Sequence, residues 1–137
     1  MLLTDMLIEF LPIAAVIDAV LIAMLVVFQL CLAAGAPWGR AAYGGARRVL
    51  PSRLRVSSAV AAVVWALVGF VVLRRAGFDV WAPLPDMALP IAVWVVVAVL
   101  VPGVVLNAIT RSRVERAIWL PVTLVMLAAT VAVALAP

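Results

Sequence analysis

The sequence predicts an all-α fold: a polytopic membrane protein, a compact bundle of four transmembrane helices forming one domain over residues 1–137. Composition gives the first reason. Of 137 residues, 69% are hydrophobic and 12% charged, against roughly 45–50% and about 25% in soluble globular chains. The mean hydropathy is +1.35, and a water-soluble domain of this size could not hide that much apolar surface. Segmentation is the second reason, because the apolar residues fall into four blocks separated by short polar stretches. The third is the placing of the basic residues, ten arginines and no lysine, gathered between the blocks.

The first block covers residues 11–34 and is interrupted only by Pro12 and Asp18. Asp5 and Glu9 precede it with no basic residue, and its apolar stretch exceeds the roughly 7–15 residues of a signal-peptide core, so it reads as a retained helix. A loop rich in glycine and arginine follows, and the second block, residues 57–73, ends at Arg74-Arg75. Its span of about 25 Å at 1.5 Å per residue crosses the hydrocarbon if the flanking arginines snorkel. A turn-rich connector with Gly77, Pro83 and Pro85 leads to the third block, residues 87–107, and a short basic loop leads to the fourth, residues 117–136. Each block must be helical, since an open strand in lipid leaves backbone groups unpaired. Pro90 and Pro121 fall in first turns, where the missing N–H costs little. Pro102-Gly103 lies inside the third block and is expected to kink or loosen it.

Arginine counts orient the bundle. The loop 35–56 holds five arginines and the loop 108–116 three, whereas the other side has only Arg74 and Arg75 against Asp5, Glu9, Asp79 and Asp86. The positive-inside rule then puts both termini outside, with loops 35–56 and 108–116 in the cytoplasm. The expected location is a bacterial cytoplasmic (inner) membrane, with the bilayer and its anionic lipids as partners. A larger membrane complex or a homo-oligomer is a further expectation. The net charge of +4 serves topology, and nucleic acid is not an expected partner, because no basic and aromatic surface is left once the helices are embedded.

Absent residue types narrow the chemistry. With no histidine, bis-histidine haem, His-ligated zinc or copper and histidine acid–base catalysis are excluded. Cys31 is the only cysteine, so no intrachain disulfide or thiolate cluster forms, and a buried, inert thiol is expected. No cofactor, metal site or catalytic residue is expected, and no GxxxxGK[ST] pattern marks a nucleotide loop.

Asp18 is the sharpest candidate, because an ionisable side chain inside a membrane helix is costly and is a functional hypothesis by default. Measured from Ala34 it lies about 24 Å along the axis, some 6 Å below the outer edge of a core roughly 30 Å thick. An intramembrane ion pair of Asp18 with Arg74 or Arg75 is the expected role. Toward the other side, Gln29, Asn107 and Thr123 sit at similar depths on three helices and form a candidate ligand or headgroup site with Arg40, Arg47 and Arg48 of the glycine-rich loop. Trp38, Trp81 and Trp119 are placed near the interfaces as anchors. Small residues four apart, such as Ala15-Ala19-Ala23, Ser58-Ala62-Ala66 and Ala128-Ala132-Ala136, allow close helix approach.

The stretch Gly35-Ala-Pro-Trp-Gly-Arg40 leading into Arg47-Arg-Val-Leu-Pro51, and the later stretch Leu106-Asn-Ala-Ile-Thr-Arg-Ser-Arg-Val-Glu-Arg-Ala-Ile-Trp119, resemble a family of small, uncharacterised four-helix bacterial membrane proteins. The resemblance implies the four-helix membrane fold and a bacterial setting, and the Ala, Val and Arg content suits a GC-rich actinobacterium. It carries no activity and assigns no catalytic residue. The reading that follows is a non-enzymatic bundle, an accessory subunit or a lipid- or partner-binding protein with an arginine-rich cytoplasmic face. A small dimeric proton-coupled transporter using Asp18 is the alternative. An intramembrane lipid-modifying enzyme, with acid–base roles falling to Asp18, Glu9, Glu115 or Tyr43, is the second.

Overall fold

The computed structural model describes residues 2–137 and contains α1 (Leu2–Ala34), α2 (Ser52–Arg75), α3 (Leu89–Ile109) and α4 (Arg113–Ala134), with no strand among the described residues. All four helices are long and apolar enough to cross a membrane. The chain is a multi-pass membrane protein built as a four-helix bundle.

The helix boundaries differ from the sequence expectation at their polar ends. α1 starts at Leu2 rather than near residue 11 and runs through Pro12 without a break; Asp5 in its first turn suits the positive end of the helix dipole. α2 begins at Ser52, directly after Pro51, and takes Arg53 and Arg55 into its first turns. α4 begins at Arg113 because Ser112 caps it, its hydroxyl accepting from the Glu115 N–H at 3.1 Å. Hydropathy marks where hydrocarbon ends, whereas a proline or a capping hydroxyl marks where a helix starts. Pro102 and Gly103 do not interrupt α3, which is continuous from Leu89 to Ile109.

Around the bundle α1 lies beside α2 and α4, while α3 lies beside α4 and α2. The seam between α2 and α3 is the thinnest of these four, and α2 and α4 touch little across the diagonal. Ala15, Ile22 and Leu25 of α1, Val71 and Val72 of α2, Val93 and Leu100 of α3, and Met126 and Val133 of α4 form the core. Lipid is as apolar as that core, so association rests on close van der Waals approach rather than on expulsion of water. Small side chains serve this on α1 and α2, where Ala15, Ser58 and Ala62 are buried. The small-residue rows of α1 and α4 are not packed throughout, since Ala23 and Ala128 face outward.

Candidate functional site

α1 and α3 end, and α2 and α4 begin, at the same end of the bundle, which therefore collects Arg40, Arg47, Arg48, Arg53, Arg55, Arg111, Arg113 and Arg116. The loop 35–51 does not trail away from this end. It makes two 3-10 turns, Gly39–Ala41 and Tyr43–Gly45, and folds back over the helix termini. The buried Trp119 indole N–H donates to the Ala41 carbonyl at 3.0 Å. The Ser112 hydroxyl donates to the Arg40 carbonyl, and the Gly44 N–H donates to the Glu115 carboxylate at 3.1 Å. The Tyr43 and Ser58 hydroxyls lie 3.1 Å apart, tying the loop to α2. Arg55 Nε donates to the Ala33 carbonyl at 2.9 Å and satisfies one of the last, otherwise open, carbonyls of α1.

Backbone geometry makes this docking possible. Tyr43, Gly44 and Gly45 have φ of 49°, 80° and 72°, a left-handed run that glycine adopts without penalty. At Gly45 a Cβ would lie 2.7 Å from Ser112 Cβ and 2.8 Å from the Arg40 carbonyl oxygen, so the loop backbone seats directly on the α3–α4 turn. Leu32, Ala42 and Leu50 close a small apolar cluster beneath it. Phe28 stacks on Trp38 and packs against Trp119, with ring centroids 6.2 Å and 4.8 Å away.

Under the loop lies a cavity of about 770 Å³, walled by all four helices, a size within the roughly 300–1,000 Å³ of small-molecule sites. Gln29, Asn107 and Thr123, expected at similar depth, all line it, as do Tyr43, Arg111 and Glu115 near the loop end. Asn107 Nδ2 donates to Thr123 Oγ1 at 3.3 Å, and the threonine hydroxyl donates to the Trp119 carbonyl at 2.6 Å. Gln29 Oε1 is buried and has no donor among the described residues. Farther from the loop the walls become apolar: Leu25, Trp65, Val99 and Leu100. The cavity is thus polar toward the arginine end and oily toward the bundle middle.

Arg40, Arg47 and Arg48 do not join this polar group. They lie on the outer, exposed side of the loop, and the arginine that reaches the cavity is Arg111. Glu115 has its Oε2 held by the Gly44 N–H and, at 2.5 Å, by the Thr110 hydroxyl, which gives it a positioning role in the loop. Trp119, expected at the interface, is buried and pins the loop. Trp38 and Trp81 are exposed, and Trp81 packs edge-on against Phe70 at 5.9 Å. Cys31 is half-buried.

The expected ion pair of Asp18 with Arg74 or Arg75 is not formed. Asp18 is fully buried and accepts from Thr130 Oγ1 of α4 at 2.6 Å, while its Oδ1 has no partner among the described residues. Arg74 turns outward to Asp86, with contacts of 2.9 and 3.0 Å, and reaches Asp79 at 3.4 Å. Arg75 donates to the Ala136 carbonyl at 2.5 Å. The reason is rotational: Asp18 faces Thr130 of α4 across the core, whereas Arg74 and Arg75 at the end of α2 meet surface aspartates and the Ala136 carbonyl. Asp18 lines neither the main cavity nor the smaller one, of about 340 Å³, beside Arg74, Arg75 and Asp86. No group of three histidine, cysteine, aspartate or glutamate side chains that could hold a metal occurs among the described residues.

Comparison with protein-family models, with curated proteins and with solved structures finds no match.

Proposed function

We propose that the chain is a non-enzymatic bundle of a bacterial cytoplasmic membrane, in an accessory role, whose arginine-rich end faces the cytosol and binds anionic lipid headgroups. The observation that carries this reading is the different fate of the arginines at the two ends. At one end Arg74 is neutralised by Asp86 and Asp79, while Arg75, like Arg55 and Arg116 at the other end, donates to a backbone carbonyl. At the other, no ion pair occurs among the described residues, and Arg40, Arg47, Arg48, Arg53, Arg111 and Arg113 are exposed. The single acid at that end, Glu115, is engaged with the loop backbone and Thr110. Uncompensated guanidiniums beside a bilayer attract anionic headgroups by about 1 kcal/mol each, and they bind phosphate through paired N–H groups.

The test is lipid selectivity in reconstituted vesicles of phosphatidylcholine mixed with phosphatidylglycerol, which supplies the anionic headgroups. Spin-labelled phosphatidylglycerol should be enriched around the protein over spin-labelled phosphatidylcholine, less so as salt is raised. Arg40→Ala, Arg47→Ala and Arg48→Ala combined should remove most of that preference, about 1 kcal/mol for each guanidinium lost. Equal association of the two lipids with the unaltered protein would refute the reading. So would labelling of Ala46→Cys, in a Cys31→Ala background, from the periplasmic side of intact cells.

A further inference from the structure

We propose that the cavity beneath the loop is a binding site for one phospholipid molecule, an anionic lipid whose headgroup carries a hydroxyl donor, entering sideways through the seam between α2 and α3. This goes beyond a charged surface that gathers many lipids, and it rests on that reading only for the sign of the headgroup.

Three observations point to the occupant. The first is the gradient along the walls. Arg111, Glu115, Asn107 and Gln29 stand toward the arginine end, and Leu25, Trp65, Val99 and Leu100 follow deeper. Trp65 lies about 20 Å along α2 from its start. A molecule that fits must be polar at one end and hydrocarbon at the other, with its head at the level of the bilayer headgroups. That is the orientation a lipid already has in the adjacent leaflet.

The second is an unmet hydrogen bond. Gln29 Oε1 is buried on the cavity wall with no donor among the described residues, a state that proteins rarely leave unfilled. Asn107 Nδ2 donates to Thr123 and makes no bond to Gln29 among the described residues. The cavity therefore asks its occupant for an O–H or N–H next to the charged part of the head. Arg111 at the rim has no acid partner among the described residues and supplies the complement to a phosphate. A glycerol-phosphate headgroup offers both features, and a choline headgroup offers no donor.

The third is access. Trp65 of α2 and Val99 and Leu106 of α3 line the cavity, and these two helices form the thinnest of the seams; Val99 and Leu106 are 54% and 63% exposed. The cavity is thus roofed by the loop and open toward the side on which the bilayer lies. Gly103, on the same helix, also lines it, and a Cβ there would meet nothing within 4 Å. Glycine at that position keeps the entrance wide.

Native mass spectrometry of the delipidated full chain, titrated in a mild detergent with phosphatidylglycerol or phosphatidylcholine, tests this. One phosphatidylglycerol should bind per chain, with about a three- to tenfold preference over phosphatidylcholine, the value of the neutral hydrogen bond that only its headgroup offers Gln29. Gly103→Leu projects a side chain into open space at a helical position, so it should fold and should abolish the one-lipid complex, while Gly103→Ala retains it. Gln29→Leu should weaken binding about three- to tenfold, the loss of one neutral hydrogen bond. The Arg40, Arg47 and Arg48 triple variant should keep the single bound lipid although it loses bulk enrichment, which separates this site from the charged surface. Unchanged binding in Gly103→Leu, equal binding of the two lipids, or displacement by glycerophosphoglycerol lacking acyl chains would each overturn the proposal.

Discussion

Replacing Gly45 with alanine, set beside the same change at Gly44, isolates how firmly the loop is seated. Both glycines have left-handed backbones, with φ of 72° and 80°, so each alanine bears a conformational cost of about 1–2 kcal/mol. Only at Gly45 does the new methyl collide, 2.7 Å from Ser112 Cβ and Oγ and 2.8 Å from the Arg40 carbonyl oxygen; at Gly44 nothing lies within 4 Å. To relieve the collision Ser112 must withdraw. It then loses its bond to the Arg40 carbonyl and its cap on the Glu115 N–H. A hydrogen bond and an N-cap are worth about 1 kcal/mol each, so Gly45→Ala should exceed Gly44→Ala by roughly 2 kcal/mol. Limited trypsin cleavage after Arg47 and Arg48 reads the opening directly. Where cleavage follows the open population, 2 kcal/mol corresponds to about a thirtyfold faster cut. Equal cleavage rates for the two variants would refute the docked loop.

Two further outcomes follow from buried hydrogen bonds. Trp119→Phe keeps the contact with Phe28 but removes the donor to the Ala41 carbonyl, and the stranded acceptor should lower stability by about 1–3 kcal/mol, measured by thermal unfolding in detergent; a change within error would count against the tie. Thr130→Val removes the one hydroxyl that donates to Asp18 at nearly constant shape and should cost about 1–3 kcal/mol. Adding Asp18→Leu should recover most of that, because removing both partners leaves no buried polar group wanting a bond; a double variant less stable than the single one would contradict it.

The membrane fold was legible because hydrocarbon sorts residues coarsely, and four apolar blocks admit few alternatives. Depth was legible too. Gln29, Asn107 and Thr123 meet on one cavity because the helices share one anchored end and rise by a fixed step per residue. Rotation was not. A helix that is apolar on every side gives no stripe from which to read its facing, so the partner of Asp18 could be expected at the right height and still be sought on α2 instead of α4. The loop was half legible. The Ser112-x-x-Glu115 spacing is a helix-start signature, and Gly44-Gly45 announces a turn. Neither indicates that Glu115 turns outward to the Gly44 N–H or that the Trp119 indole anchors Ala41, since those contacts join residues more than seventy positions apart.

The unequal lengths of the helices give the molecule a level floor and an uneven roof. At 1.5 Å per residue α1 measures about 50 Å, whereas α2, α3 and α4 measure about 31–36 Å. The clasp between Arg55 and the Ala33 carbonyl holds α1 level with α2 at the arginine side, so the whole surplus emerges opposite. α1 alone therefore traverses the far headgroup layer, carrying Asp5 and Glu9 into it together with the bare side chains of Met6, Ile8 and Phe10. A thicker bilayer would swallow part of this mast, and a thinner one would leave more of it standing, while the three shorter helices stay matched to the hydrocarbon.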